Sequence, residues 1–274
     1  MEKQTEYITS RQNPLVVLCE KLTDRKHRYR EHLFRFDGYK LLCEALVKGV
    51  ELVAVLLRRS AVDAILAGVE KELPKDCRRV VLADELFDRI SEEKSPEGVI
   101  CIAKHLDKIH KIVTINKGDE VGAMLAGGRT LLLESVRDPG NLGTVIRSAR
   151  AFGVANLMVS SDCADIYHPR TIRAAMGTLF SQHILVVQDA VAAVQALSAE
   201  RRVLAAALDE TAVRLGHVAL GEQDVLAVGN EGHGLSPALL AACTHRIYIP
   251  MEAGVESLNA GVAASVLLWE MYRG

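Results

Sequence analysis

Apolar positions along the chain recur with two periods, and the changes of period mark where elements begin. Leu15, Leu18, Cys19 and Leu22 repeat on one helical face behind Asn13 and Pro14, an N-cap and first-turn pair, so a first helix starts there. From Leu33 the pattern alternates: a short strand to Phe36, a helix over about Tyr39 to Lys48, a strand near Leu52 to Leu57, and a helix over Val62 to Glu70. Strands at Arg78 to Leu82 and Val99 to Ala103 follow, with a short helix between them. Strands alternating with helices predict a mostly parallel sheet covered on both faces. Lys104 to Gly118, rich in Lys and His, reads as a connection in which Ile109, Ile112, Val113 and Ile115 form a strand or pack down.

The alternation then repeats. Strands are expected at Thr130 to Leu133, Leu157 to Ser160, Ile184 to Val187, Val203 to Ala207, Val225 to Val228 and Arg246 to Ile249. Helices are expected at Leu142 to Phe152, Pro169 to Met176, Ala190 to Ala199 and Pro237 to Ala242. A last helix runs from about Asn259 to Tyr272, with Val262, Val266 and Trp269 on one face. The fold class is therefore α/β, with a small first domain over 1–108 and a second over 109–274.

Composition changes this picture little. With 274 residues, 49% hydrophobic and 25% charged, the chain reads as an ordinary globular protein of one large or two modest domains. The net charge of -2 gives no global attraction for nucleic acid, so any such contact needs a local basic surface. Arg25, Lys26, Arg28 and Arg30, with Tyr29 among them, could meet phosphates and stack on a base; the plainer reading is a solvated helix end, favoured by its dipole. Arg170 and Arg173 offer a second basic edge, or an ordinary helix surface. The six cysteines show no C-x-x-C pair, which points to reduced thiols and a cytoplasmic protein. MEKQTEYITS lacks an apolar signal core, and no apolar stretch reaches the length of a membrane span.

Three stretches carry candidate chemistry: DPGNLGTVIRSARAFGV at Asp138 to Val154, VGNEGHGLS at Val228 to Ser236, and IPMEAGVESLNAGVAAS at Ile249 to Ser265. In the first, Asn141 is placed to cap a helix whose free N–H groups favour an anion, with Arg147 about two turns in. In the second, a glycine-dense turn after a strand admits close backbone approach to a ligand, or is simply a tight connection with a surface Glu231. In the third, Ser257 or Asn259 caps the last helix. The glycines have the wrong offsets for a dinucleotide fingerprint, and no G-x-x-x-x-G-K-[ST], H-E-x-x-H or G-x-S-x-G occurs, so no metal is expected and Ser257 is not read as a covalent nucleophile.

Asn141, Gly143 and Arg147, then Gly229, Glu231, Gly232 and Gly234, then Ser257, Leu258 and Asn259 resemble the three motifs of the SpoU (TrmH-type) RNA ribose methyltransferases. The resemblance covers Leu131 to the C-terminus well. It is looser before that, where SRQNPLVVLCEKL and Phe34 to Val47 look like the substrate-binding domain many such enzymes carry. It implies a SPOUT fold with a C-terminal trefoil knot, an RNA substrate-binding role for 1–108, and a homodimer built through the second domain. It also implies S-adenosylmethionine as cofactor, held around Gly229, Asn230, Gly232, Ile249 and Leu258. The implied reaction is methyl transfer to a ribose 2′-hydroxyl, of ribosomal rather than transfer RNA, with Asn141, Arg147, Glu231, Ser257 and Asn259 as the catalytic set. The resemblance gives Arg147 a part in activating the hydroxyl; an arginine is almost always protonated, so unless its site depresses its pKa severely it is read as holding the neighbouring phosphate and stabilising the developing alkoxide rather than as a base. The alternatives are a noncatalytic RNA-binding protein on the same scaffold, and a SPOUT enzyme acting on a base or on transfer RNA.

Overall fold

The structure is a computed structural model that describes residues 6–113, 121–125, 127–255 and 257–274, with only the backbone described at 111–113. Ile115 and Glu256, and the side chains of Ile112 and Val113, lie outside the described residues. The described chain divides into two compact units. The first holds the residues through Leu106 together with Asp165–Phe180; the second holds Asp107–Ala164 and Ser181–Gly274. The contiguous division expected at 108/109 differs from this by one segment, Asp165–Phe180, which packs with the first unit.

In the first unit β1 (Glu6–Ile8), β2 (Leu33–Asp37), β3 (Leu52–Arg58), β4 (Arg78–Leu82) and β5 (Val99–Lys104) form a sheet in the order β1-β4-β3-β5-β2. β1, β4 and β3 are parallel, but β5 runs antiparallel to both neighbours, so the sheet is mixed rather than mostly parallel. Val99 to Ala103 are all buried, and a wholly apolar strand reads the same in either direction. β1 escaped the sequence reading because it is three residues long and stands at a polar edge.

Asn13 caps helix Pro14–Lys21 as expected, its Oδ1 accepting from Leu15 N at 2.9 Å. The basic cluster is not the tail of that helix. It forms its own helix, Arg25–Glu31, capped by Asp24, whose Oδ1 accepts from Lys26 N at 2.7 Å. This alters one candidate. Arg28 is only 1% exposed: its Nε and Nη2 donate to Asp165 Oδ2 at 2.9 and 2.5 Å, and its Nη1 to the carbonyls of Leu22 and Thr23. With four of its five donors so used and the side chain buried, this guanidinium is closed to a phosphate, and the expectation that Arg28 contacts RNA is corrected: it is a structural residue. Asp165 Oδ1 also accepts from Tyr167 N at 3.0 Å, and the Tyr167 ring stacks on His105 at 4.1 Å and on Phe34 at 4.9 Å. Helix Pro169–Ala175 follows, capped by His168, whose Nδ1 accepts from Arg170 N at 3.1 Å.

The second unit holds β6 (His110–Val113), β7 (Thr130–Leu133), β8 (Asn156–Ser160), β9 (His183–Val187), β10 (Val203–Ala206), β11 (Val213–Arg214), β12 (Val225–Val228) and β13 (His245–Tyr248). Their order is β11-β13-β10-β12-β7-β8-β9-β6, and every pairing is parallel. Leu132, Met158, Leu185, Val225 and Leu239 lie in its core. From β7 the chain moves out through β8 to β9 on one side, while β12 and β10 lie on the other. Such a reversal opens a crevice at the carboxyl ends of the strands, the usual position of a ligand site in an open parallel sheet.

The last helix, Ala260–Arg273, buries Ala264, Leu267, Leu268 and Met271. Val262 and Trp269 are 49% and 51% exposed, so the face they share is the outer one. Gly261 lets this helix approach helix Pro139–Ala151 closely: a Cβ there would stand 3.3 Å from Thr144 Cβ.

Candidate active site

The loops after β7 and β12 meet at the carboxyl edge of the second sheet. Thr130 to Leu133 are paired on both sides and buried, so the polar run Glu134 to Asp138 begins where the sheet ends. Asp138, not Asn141, caps helix Pro139–Ala151, its Oδ1 accepting from Asn141 N at 2.8 Å. Pro139 explains the earlier start, since proline suits the first helical position. Asn141 is thereby released for other work. Its Nδ2 donates to Glu231 Oε1 at 2.8 Å, and its Oδ1 accepts from Asn259 Nδ2 at 2.8 Å. Three motifs far apart in sequence are joined by two hydrogen bonds.

The loop after β12 is fixed by its backbone. Asn230 and Gly234 exchange N–H···O bonds at 2.9 Å, and Asn230 Oδ1 accepts from Gly232 N at 2.8 Å and His233 N at 3.3 Å. Gly229 is glycine for a reason other than ligand access: a Cβ there would stand 2.1 Å from the Gly234 carbonyl carbon and 2.3 Å from Leu235 N. The loop closes on itself at that point, and a side chain would force it open. A Cβ at Gly232 would meet Asn230 Oδ1 at 3.5 Å, an ordinary contact, so Gly232 leaves room for approach, while Gly234 with φ 67 serves the turn. Glu134 fastens the far end, accepting from Ser236 N and Oγ at 2.7 Å each, while Ser236 Oγ caps helix Pro237–Ala242.

Beside this loop lies a cavity of about 360 Å³. It brings together all five expected cofactor contacts, Gly229, Asn230, Gly232, Ile249 and Leu258. Glu231 and Ser257 also line it, and Ala206 to Leu208 and Met251, which the sequence did not single out, complete the wall. Among the described residues Glu231 is the one charged side chain in the lining. No described group of three or more His, Cys, Asp or Glu is placed to hold a metal ion.

Asn259, not Ser257, caps the last helix, its Oδ1 accepting from Gly261 N at 2.9 Å and Val262 N at 3.3 Å. Ser257 is exposed at the cavity wall and makes no hydrogen bond to a described residue. Arg147 is exposed, six residues beyond Asn141 and so about 9 Å further along the helix axis. It pairs with no described residue and does not line the cavity.

In the first unit Arg25, Lys26, Arg30, Arg170 and Arg173 are exposed. Arg25 lies over the Tyr29 ring, 5.4 Å from its centroid, and Arg30 pairs with Glu31 at 2.8 Å. Sequence reasoning missed Glu134, Ser135, Ser160 and Asp162, which brace the two loops. Only the polar run directly after an apolar strand marked the place.

Known proteins share both units. Residues 128–269 match the SpoU rRNA Methylase family, and residues 13–101 match the MRM3-like substrate binding domain. The chain is 31% identical over 270 residues to the 23S rRNA (guanosine(2553)-2'-O)-methyltransferase RlmP of Bacillus subtilis, spanning 96% of this chain and 98% of that protein. It is 29% identical over 252 residues to the 23S rRNA (uridine(2479)-2'-O)-methyltransferase of Streptomyces viridochromogenes, spanning 84% and 83%. The crystal structure of an AdoMet-bound rRNA methyltransferase from Sinorhizobium meliloti superposes with a TM-score of 0.78 at 27% identity, over 99% of this chain and 98% of that one.

Proposed function

Because this chain belongs to the SpoU rRNA methylase family, we propose that it methylates a ribose 2′-hydroxyl of ribosomal RNA, with S-adenosylmethionine as donor. The observation that carries this reading is the run of side chains Asn259, Asn141 and Glu231 beside a cavity walled by a glycine loop. The cavity suits the donor. Its volume is within the range of small-molecule sites, its wall is largely apolar and backbone, and Glu231 offers the negative charge that a sulfonium favours. When bound, S-adenosylmethionine supplies an activated methyl: the carbon–sulfur bond breaks as the carbon–oxygen bond forms, and sulfur keeps the electron pair.

The chain's own residues then have three tasks. Asn141 and Asn259 hold Glu231 and the start of the last helix in register. Ser257, with no partner among the described residues, is available to orient the acceptor ribose or the donor. Arg147 holds the phosphate beside the acceptor and stabilises the oxygen as its proton passes to solvent.

Recognition of the RNA is assigned to the first unit, through Arg25, Lys26, Arg30, Arg170 and Arg173. We further propose a homodimer through the outer face of the last helix. There Trp269, Tyr272 and Phe152 form a ring cluster with centroids 5.7 to 6.2 Å apart, half exposed at Trp269 and Tyr272. The trefoil threading of the C-terminal segment and a cytoplasmic location belong to the same proposal; no described helix is long and apolar enough to cross a membrane. The test is to map 2′-O-methyl sites in ribosomal RNA from cells with and without the gene, and to restore the site with purified protein and donor. An unchanged map, with no transfer in vitro, overturns the reading.

A further inference from the structure

Among the described residues other than glycine, His32, Ser135 and Met176 have positive φ. His32 and Met176 end helices, where a left-handed residue is a common stop. Ser135 ends nothing. At φ 55 it stands between β7 and the site helix, in a conformation that is sterically costly for any residue with a Cβ.

What holds it there is a complete set of partners. Ser135 N donates to Ser160 Oγ at 2.9 Å, and Ser135 Oγ donates to Asp162 Oδ2 at 2.5 Å. The other Asp162 oxygen accepts from Ser160 Oγ at 2.6 Å, and Arg137 reaches Asp162 at 3.5 Å. The left-handed turn aims the Ser135 carbonyl at the glycine loop, where it accepts from Asn230 Nδ2 at 2.8 Å. With its amide so oriented, Asn230 presents Oδ1 to the N–H groups of Gly232 and His233. Neither Ser135 nor Asp162 lines the cavity, yet both act on a residue that does.

We infer that Ser135 and Asp162 are positioning residues for the methyl donor: they fix the Asn230 amide and so keep the glycine loop in its binding shape. The inference rests on the proposed assignment of the cavity to S-adenosylmethionine.

The experiment is a calorimetric titration of the full chain with S-adenosylmethionine, beside KM for donor and for RNA, in the wild type and five variants. Asp162→Ala and Ser135→Ala are expected to weaken donor binding about tenfold, the scale of one lost hydrogen bond to a charged group, with KM for RNA unchanged. Asp162→Asn keeps the acceptor for one serine and presents its NH2 to the hydroxyl oxygen of the other, so its loss is expected to be smaller than that of Asp162→Ala. Ser135→Gly takes φ 55 without strain and keeps the backbone bonds, so it stays within about threefold of wild type. In Ser135→Gly with Asp162→Ala, the loss is expected to fall below that of Asp162→Ala alone, which a general loss of stability would not produce. Equal losses in Ser135→Gly and Ser135→Ala, or wild-type affinity in Asp162→Ala, overturn the inference while leaving the donor site standing. Failure of the wild type itself to bind removes the donor site, which is a different result. If Ser135→Ala does not fold, the two Asp162 variants decide.

Discussion

Asn259 donates its side-chain N–H to Asn141 Oδ1 at 2.8 Å across 118 positions of sequence, and Asn141 uses its own Nδ2 to reach Glu231. Each amide therefore has one orientation that satisfies both neighbours. Asn141→Asp keeps the acceptor for Asn259 but replaces the donor facing Glu231 with a second carboxylate oxygen. Donor affinity is expected to fall about tenfold or more, because Glu231 then faces an acceptor in place of a partner. Calorimetry with S-adenosylmethionine measures this, and wild-type affinity would show that the link does not shape the site.

Arg147 separates binding from chemistry. It is exposed, unpaired among the described residues and absent from the cavity wall, so Arg147→Ala should leave donor affinity unchanged. Loss of a charge-stabilising donor in a preorganised site lowers the rate by about a hundred- to a thousandfold. Arg147→Lys keeps the charge without the planar fork and should also be poor. Single-turnover transfer at saturating RNA and donor is the assay, and a near-normal rate in Arg147→Ala would refute the role.

The basic helix divides into two kinds of arginine. Reversing Arg25, Lys26 and Arg30 to Glu should weaken RNA binding, and each phosphate left without its cation should flatten the log-log salt dependence by about one unit. Folding should be unaffected, since these side chains are exposed. Arg28→Ala should behave oppositely. Removing one partner of a buried pair costs about 3–5 kcal/mol, so Tm falls sharply, and replacing both partners with Arg28→Met and Asp165→Leu should recover part of it. Thermal unfolding beside RNA binding at several salt concentrations distinguishes the two kinds.

His168 gives the first unit a pH dependence. Burial holds its pKa below the usual histidine value, aided by Arg28 and Arg170 and opposed by Asp165 and Glu92. Its Nδ1 caps helix Pro169–Ala175 by accepting from Arg170 N, which requires the neutral ring. The unfolded chain takes up this proton at higher pH than the folded one, so stability rises with pH through the window below the ordinary histidine value of 6.5 and levels off above it. His168→Asn keeps a capping acceptor and should remove that slope. Denaturant midpoints between about pH 5 and 7.5 measure it, and an unchanged slope in His168→Asn would show that another group is responsible.

Much of the architecture was legible because burial and period coincide. Leu131 to Leu133 and Val225 to Val228 are buried strands, and apolar runs ended by polar turns announce such strands from sequence alone. The resemblance also grouped Gly229, Asn230, Gly232, Ile249 and Leu258, which all line one cavity, the one proposed for the donor. Three things were not legible. The direction of β5 leaves no mark in a run that is buried throughout. The burial of Arg28 depends on Asp165, 137 residues away, and composition alone gave it the same standing as Arg25 and Lys26. The Ser135 turn is a tertiary product, made by Ser160, Asp162 and Asn230 together, and no local propensity predicts a left-handed serine there.

The Arg28–Asp165 pair also bears on how the chain is made. A ribosome adds Arg28 well before it adds Asp165, and at ordinary elongation rates the delay is roughly ten seconds. Throughout that interval the nascent first unit lacks its carboxylate partner and the aromatic ring of Tyr167 that completes its stack. The unit that begins first is thus complete only at Phe180, after β6, β7 and β8 of the second unit have been made.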